Sequence, residues 1–97
     1  MKHSLENEKL TIFLEGELNS YNSEEVEKEI ESIVKSNNFK SIDLDLENLR
    51  YISSAGLRII VRLKQQYDNT VLKKVPSGVY DIFDMVGFQN IIEIERL

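Results

Sequence analysis

Residues 42–57 of this chain read IDLDLENLRYISSAGL, and this stretch decides the fold class. Its first five residues alternate apolar and acidic side chains without a break, which is the pattern of a β-strand with one buried face. A parallel strand covered by helices on both faces would be apolar throughout. Asp43 and Asp45 therefore indicate that one face of the sheet is open to water, so we expect helices on the other face only.

The end of the same stretch, SSAG at residues 53–56, predicts the start of a helix. An apolar-rich segment from Leu57 to Tyr67 follows, and the hydroxyl of Ser53 or Ser54 can accept a hydrogen bond from a free helical N–H. Capping is the commoner reason for a serine in this place. Phosphorylation is a second and compatible interpretation, because a helix N-terminus tolerates added negative charge.

Strands and helices alternate on both sides of this stretch. Predicted strands cover residues 10–14, 42–46, 70–75 and 91–94, and predicted helices run from residue 22 or 23 to 36–38, from 57 to 67 and from 77 to 86. Residues 5–8 can form an extended lead-in strand, and residues 16–20 are expected to be a loop. Such alternation predicts largely parallel strand pairing through right-handed crossovers, and hence an α/β fold.

Individual side chains refine these boundaries. Asn22 with Glu25 has the spacing of a capping box, and Ser77 can cap the third helix. Gly87 is well placed to end that helix in the left-handed conformation. The four tyrosines do not cluster and are interpreted as core or core-edge residues; they are Tyr21, Tyr51, Tyr67 and Tyr80.

The composition is that of one globular domain covering residues 1–97. A chain of 97 residues can bury one hydrophobic core but not two, and 41% hydrophobic with 30% charged residues shows no bias toward disorder. The absence of cysteine excludes disulfides, thiolate catalysis and zinc fingers. No apolar run approaches the ~20 residues that span a bilayer, and the first residues lack a signal-peptide core, so we expect a cytoplasmic protein.

The charge pattern bears on the class of partner. The formal net charge is −5 and no basic cluster occurs, which disfavours nucleic acid and anionic membrane surfaces as partners. A protein partner or a small ligand is the better expectation. Oligomeric state is not specified beyond a monomer or a weak dimer, since a small sheet can have an exposed edge.

Catalysis and cofactor binding have little support. A nucleophilic serine needs a base, and the one histidine, His3, lies near the N-terminus. The acidic residues of the 42–47 segment are better explained as the solvated face of a strand than as metal ligands. Gly16 and Gly56 are isolated, so no glycine-rich phosphate loop is present. We expect no enzyme activity, no metal and no cofactor.

Three ordered segments resemble one known family. Residues 42–57 resemble the signature of STAS domains, and in particular that of bacterial anti-sigma factor antagonists. Residues 16–19, GELN, are similar to the Gly-Glu-(Leu/Ile)-Asp motif that follows the first strand of the family. Residues 82–88, IFDMVGF, are similar to its last-helix pattern. The resemblance covers residue 10 to the C-terminus and implies a single STAS-like domain with a small, mostly parallel sheet.

What the resemblance implies is a phosphorylation switch. In the family, the unphosphorylated antagonist binds an anti-sigma factor that is also a serine kinase, the kinase inactivates it, and a PP2C-type phosphatase restores it. The phosphoserine of the family falls on Ser54. Asn19, Ser53, Gly56 and Leu57 would then lie, with Ser54, at the kinase-binding edge.

Two departures from the family pattern leave alternatives open. Ser53 stands where many members have Asp, which makes Ser53 a rival acceptor for the phosphate, and Asn19 also replaces an Asp. An alternative function is a non-switching STAS scaffold or the small subunit of a signalling or lipid-transport complex, in which the serines serve only as a helix cap. A nucleotide-binding domain is the third possibility and ranks last.

Overall fold

The computed structural model describes all residues from Met1 to Leu97 and contains seven strands and three helices. The strands are β1 (His3–Glu6), β2 (Lys9–Phe13), β3 (Gly16–Leu18), β4 (Ser41–Asp45), β5 (Leu49–Ile52), β6 (Thr70–Val75) and β7 (Glu93–Arg96). The helices are α1 (Ser23–Lys35), α2 (Ser54–Gln66) and α3 (Ser77–Met85), and a short 3-10 turn covers Phe88–Asn90.

The main sheet has five strands in the order β1-β2-β4-β6-β7. Only β1 pairs antiparallel, with β2, and the other three pairings are parallel. In the central strand, Ile42 and Leu44 are fully buried on the side of the helices, whereas Asp43 lies on the opposite face. The predicted α/β fold, a small and mostly parallel sheet with helices on one face, is confirmed.

One cluster of 21 buried apolar residues joins the helices to the sheet. The apolar stripes predicted for the helices supply their buried residues, among them Ile30 and Ile33 of α1 and Ile59 and Ile60 of α2. Phe83 of α3 is fully buried. None of the three helices has the length and apolarity that a membrane crossing requires.

A second, two-stranded sheet extends the first. Residues 16–18, expected to be part of a loop, instead form β3 and pair in parallel with β5. The two sheets are continuous in backbone hydrogen bonding, because the N–H of Leu14 donates to Asp45 O at 3.1 Å and that of Gly16 donates to Asn48 O at 2.9 Å. The loop prediction was wrong because a three-residue strand beginning at glycine carries almost no periodic signal.

The N-terminal strand also differs from the expectation. The lead-in strand predicted at 5–8 covers His3–Glu6 instead and forms a hairpin with β2. Asn7 and Glu8 make the two-residue turn, with φ of 52° and 65°. Positive φ at both central positions is the geometry of a type I′ turn, whose twist matches that of the flanking strands, so the strand must end before Asn7.

Two boundary predictions at the C-terminal part of the chain are corrected. Ser77 is the first residue of α3 and makes no capping hydrogen bond, because Pro76 occupies the cap position. The closing strand begins at Glu93 rather than at residue 91, since the chain first makes the 3-10 turn that buries Phe88. Gly87 does adopt the predicted left-handed conformation, with φ of 76°. The ring of Phe88 then stacks on that of Phe83 at 5.2 Å between centroids.

The open face of the main sheet is polar but not freely solvated. Asp45 is only 9% exposed, which the alternating pattern did not predict. Its carboxylate accepts a hydrogen bond from the Glu47 N–H at 3.1 Å and lies 3.9 Å from the ammonium of Lys74. These contacts compensate for the loss of water around the charge.

The pair formed by Lys73 and Glu95 on this face predicts a pH dependence. The hydrogen bond that Lys73 donates at 2.6 Å lowers the pKa of Glu95 below its ordinary 4.5 and raises that of Lys73 above its ordinary 10.5. A depressed carboxyl pKa stabilises the fold above pH 4.5, and that contribution is lost as pH falls through the folded-state pKa; the lysine contribution is lost in strong base. Glu95→Gln is therefore expected to lower the urea midpoint at neutral pH and to match the wild type in acid well below pH 4.5. Equal midpoints at neutral pH would contradict this.

Candidate functional site

The serine pair lies where two parallel strands end together. β3 and β5 are in register at their last residues, Leu18 opposite Ile52, and the N–H of Ser53 donates to Leu18 O at 2.8 Å. The loop at residues 19–22 leads from β3 into α1, and Ser53 leads from β5 into α2. We call residues 19–22 together with residues 53–57 the serine edge. The carboxyl ends of parallel strands are where α/β folds commonly place binding sites.

The two serines have different environments. Ser53 is the N-cap of α2, half-buried and extended, and its Oγ accepts a hydrogen bond from the Gly56 N–H at 3.4 Å. Ser54 is the first residue of α2 and is exposed. Of the two cap candidates in the sequence, Ser53 is the one that caps. The Ser54 hydroxyl is left accessible, and its position is held by the helix that begins there.

Gly56 lets α2 approach the strands closely. It is buried, and a Cβ atom at this position would lie 2.7 Å from both Ile52 Cγ1 and Leu18 Cγ. Atoms in van der Waals contact do not approach so closely, so any larger residue here requires the neighbouring side chains or the helix to shift. Leu57, the next residue, is partly buried against the core. These two residues form the buried side of the serine edge, while Asn19, Ser53 and Ser54 reach its surface.

The loop at residues 19–22 is braced by its two asparagines. Asn19 Oδ1 accepts hydrogen bonds from the N–H groups of Tyr21 at 2.9 Å and Asn22 at 3.1 Å. Asn22 Oδ1 accepts from the Asn19 N–H at 2.9 Å, and its Nδ2 donates to Glu17 O at 2.8 Å. The predicted capping box is wrong, because the Asn22 side chain turns back into the loop and makes no capping bond to α1.

Substitutions at Asn19 test this bracing. Asn19→Ala removes the acceptor of two backbone N–H groups and is expected to lower the free energy of unfolding by about 1–2 kcal/mol. Asn19→Asp keeps both acceptor bonds through Oδ1 and should remain within about 0.5 kcal/mol of the wild type. Urea unfolding measures both. Equal losses of unfolding free energy in the two variants would show that these hydrogen bonds do not account for the contribution of Asn19 to stability.

An ion pair links α1 and α2 at the surface. The guanidinium of Arg62 donates to both carboxylate oxygens of Glu27, at 2.8 Å and 3.0 Å. Both helices begin at the serine edge, so two helix N-termini, each with partial positive charge, are presented together. The first turn of α1 carries Glu24 and Glu25, whereas that of α2 carries no acidic residue. An anion added at the start of α2 would therefore lie at the helix N-terminus whose partial positive charge is not offset by acidic side chains.

The sequence interpretation missed Tyr21. Its side chain is 98% exposed, and Tyr51 is 45% exposed, so neither is the core or core-edge residue that was expected. Tyr67 and Tyr80 do pack partly buried against the core, as predicted. The available signal was local: Tyr21 lies in a polar run of serine and asparagine residues at positions 19–23, outside any apolar periodic pattern.

Known proteins resemble this chain in sequence and in fold. The family model described as STAS domain matches residues 3–96. BtrV of Bordetella bronchiseptica, assigned as an anti-sigma factor antagonist, is 35% identical over 85 residues, which are 84% of this chain and 72% of BtrV.

Two solved proteins share the fold at lower identity. One from Thermotoga maritima, also assigned as an anti-sigma factor antagonist, has a TM-score of 0.88 at 17% identity and covers 99% of this chain and 86% of its own. The anti-sigma factor antagonist SpoIIAA of Bacillus, in its unphosphorylated form, has a TM-score of 0.73 at 20% identity. The match covers 96% of this chain and 87% of SpoIIAA. The phosphorylated form of SpoIIAA has a TM-score of 0.64 at 19% identity, and the match covers 96% of this chain and 90% of SpoIIAA.

Proposed function

The chain belongs to the STAS domain family, and from this we propose that it is an anti-sigma factor antagonist switched by phosphorylation at Ser54. Unphosphorylated, it binds an anti-sigma factor that is also a serine kinase, and the sigma factor is released. The kinase transfers phosphate to Ser54 and so ends the binding. A PP2C-type phosphatase in the same cytoplasm removes the phosphate.

The observation that carries the proposal is the exposed Ser54 hydroxyl at the start of α2. A kinase must reach the hydroxyl it modifies, and Ser54 offers one on a rigid element. The Ser53 hydroxyl is instead occupied by the Gly56 N–H. Ser53 is half-buried, so its hydroxyl is less accessible to a kinase, and modification of Ser54 leaves the Ser53 cap in place.

The switch follows from local electrostatics. A phosphate adds about −1.5 to −2 charges at neutral pH, which the N-terminus of α2 tolerates because its first turn holds no carboxylate. The free domain therefore keeps its fold. A partner packed over Ser54 would have to bury that added charge, which is unfavourable. No conformational change of the domain is needed.

The known proteins support the partner class. BtrV and the Thermotoga maritima protein are both assigned as anti-sigma factor antagonists, and SpoIIAA has been solved with and without phosphate. The net charge of −5 agrees with a protein partner rather than a nucleic acid. We propose that this chain acts by binding and not by catalysis.

The direct test of antagonism is release of a sigma factor. A fluorescently labelled sigma factor is bound to the purified kinase-type anti-sigma factor of the same bacterium, without ATP, and its anisotropy is followed as this protein is added. The proposal predicts a fall to the value of free sigma factor. Ile91→Ala, an exposed residue that precedes the amino end of β7 and so lies away from the serine edge, should release it equally well. Anisotropy that stays high at saturating protein would overturn the proposal.

A further inference from the structure

We infer that Tyr21 is the anchor residue of the serine edge and inserts into an apolar pocket, bordered by basic side chains, on the anti-sigma factor. This inference rests on the proposed function and specifies which contact on that surface contributes most of the affinity. Four observations carry it: exposure, a fixed backbone, nearness to Ser54 and the charge of the surrounding segment.

Tyr21 is exposed on a backbone that is already fixed. Its side chain is 98% exposed, and its N–H is bound by Asn19 Oδ1 at 2.9 Å. Exposure of a single apolar side chain is ordinary. A tyrosine on a braced loop is different, because it offers a large contact area and has only two side-chain torsions to order on binding. Residues of this kind are enriched among interface hot spots.

The position of Tyr21 places it beside the proposed switch. Tyr21 follows Leu18 by three residues, and the Leu18 carbonyl accepts the hydrogen bond from Ser53, the neighbour of Ser54. A stable protein interface buries about 800 Å² on each partner, a patch roughly 30 Å across. We therefore expect a partner centred on Ser54 to cover Tyr21 as well. The partner surface that a phosphate on Ser54 would disrupt is therefore also the surface that buries the ring of Tyr21.

The segment around Tyr21 is acidic. Residues 15–27 contain five glutamates and no lysine or arginine: Glu15, Glu17, Glu24, Glu25 and Glu27. Of these, Glu27 is held by Arg62, and the other four form no ion pair within the chain. Because like charges across an interface are strongly unfavourable and opposite charges are favoured, we expect the border of the partner pocket to be basic. Such charge complementarity makes the association salt-dependent.

Calorimetry with the purified kinase-type anti-sigma factor, without ATP, tests the inference. Tyr21→Ala is expected to raise the dissociation constant by about 30-fold, the size of a hot-spot loss. Tyr21→Phe keeps the ring and should remain within about threefold of the wild type. Ile91→Ala removes an exposed apolar side chain elsewhere and should bind as the wild type does. Thermal unfolding checks that each variant remains folded, as we expect for substitutions at exposed positions.

The outcomes separate this inference from the proposed function. If the wild type binds and Tyr21→Ala binds with the same affinity, the anchor is overturned while antagonism stands. If the wild type does not bind, the proposed function fails and the anchor fails with it. A wild-type affinity that is unchanged between low and high salt would contradict the basic border of the pocket. A 30-fold loss for alanine with recovery by phenylalanine would support the anchor.

Discussion

Phosphorylation of Ser54 is expected to raise the dissociation constant for the anti-sigma factor by about two to three orders of magnitude, because burying an uncompensated phosphate costs about 3–4 kcal/mol. The Ser54 hydroxyl is exposed on a surface that the partner covers under the proposed function. Calorimetry of the unphosphorylated and the enzymatically phosphorylated protein measures the effect. Ser54→Asp adds one charge and less bulk and should weaken binding by at least about tenfold.

Two matched variants make this prediction specific to Ser54. Ser54→Ala removes the acceptor hydroxyl without adding charge and should bind like the unphosphorylated wild type. Ser53→Ala removes the helix cap, which is expected to cost about 0.5–2 kcal/mol of stability, but should still lose affinity when Ser54 is phosphorylated. Equal affinities of the phosphorylated and unphosphorylated proteins would instead favour the non-switching scaffold or subunit.

Gly56→Ala is expected to destabilise the domain by about 1–3 kcal/mol, which is the usual cost of forcing an extra carbon into a packed core. The new Cβ would lie 2.7 Å from Ile52 Cγ1 and from Leu18 Cγ, so these side chains, α2 or the ends of the two strands must shift. In a domain of this size, each 1 kcal/mol corresponds to a fall in the melting temperature of about 4–8 °C. Urea and thermal unfolding both measure the loss.

Gly78→Ala is the matched control, because Gly78 also lies near the start of a helix. A Cβ there would meet nothing within 4 Å, so the same substitution is free of steric cost. It should raise stability by about 0.4–1 kcal/mol, because alanine reduces the freedom of the unfolded chain and favours the helix. If Gly56→Ala were as stable as Gly78→Ala, the close approach of α2 to the strands would be refuted.

The main elements of the fold could be predicted from the sequence because their periodicity is strong. Residues 42–46 alternate cleanly, and the buried stripe of α1 repeats at helical spacing. The strand β3 could not be predicted, because its pairing with β5 joins segments far apart in the chain and it is only three residues long. The capping bonds could not be predicted for a related reason: Asn22 does occupy the cap position of α1, but its side chain bonds within the preceding loop, and Ser77 is the first residue of α3 rather than its cap.

The candidate site could be predicted in part. The serine pair and Asn19 stand out in the sequence, and their neighbours suggested a helix start. Which serine caps α2 depends on the backbone of Ser53, which is extended with ψ of 176°, and local sequence does not determine that angle. The exposure of Tyr21 depends on the hydrogen bonds between Asn19 and Asn22, a contact that no periodic pattern reports. The role of Gly56 as a packing residue depends on Leu18, far away in sequence.

The central claim is that Ser54 is the residue that the kinase modifies. Mass-spectrometric mapping after incubation with the purified kinase-type anti-sigma factor and ATP tests it most directly, on the wild type and on the Ser53→Ala and Ser54→Ala variants. We expect phosphate on Ser54 in the wild type and in Ser53→Ala, and no phosphate on Ser54→Ala. Phosphate on Ser53 alone, or on neither serine, would contradict it.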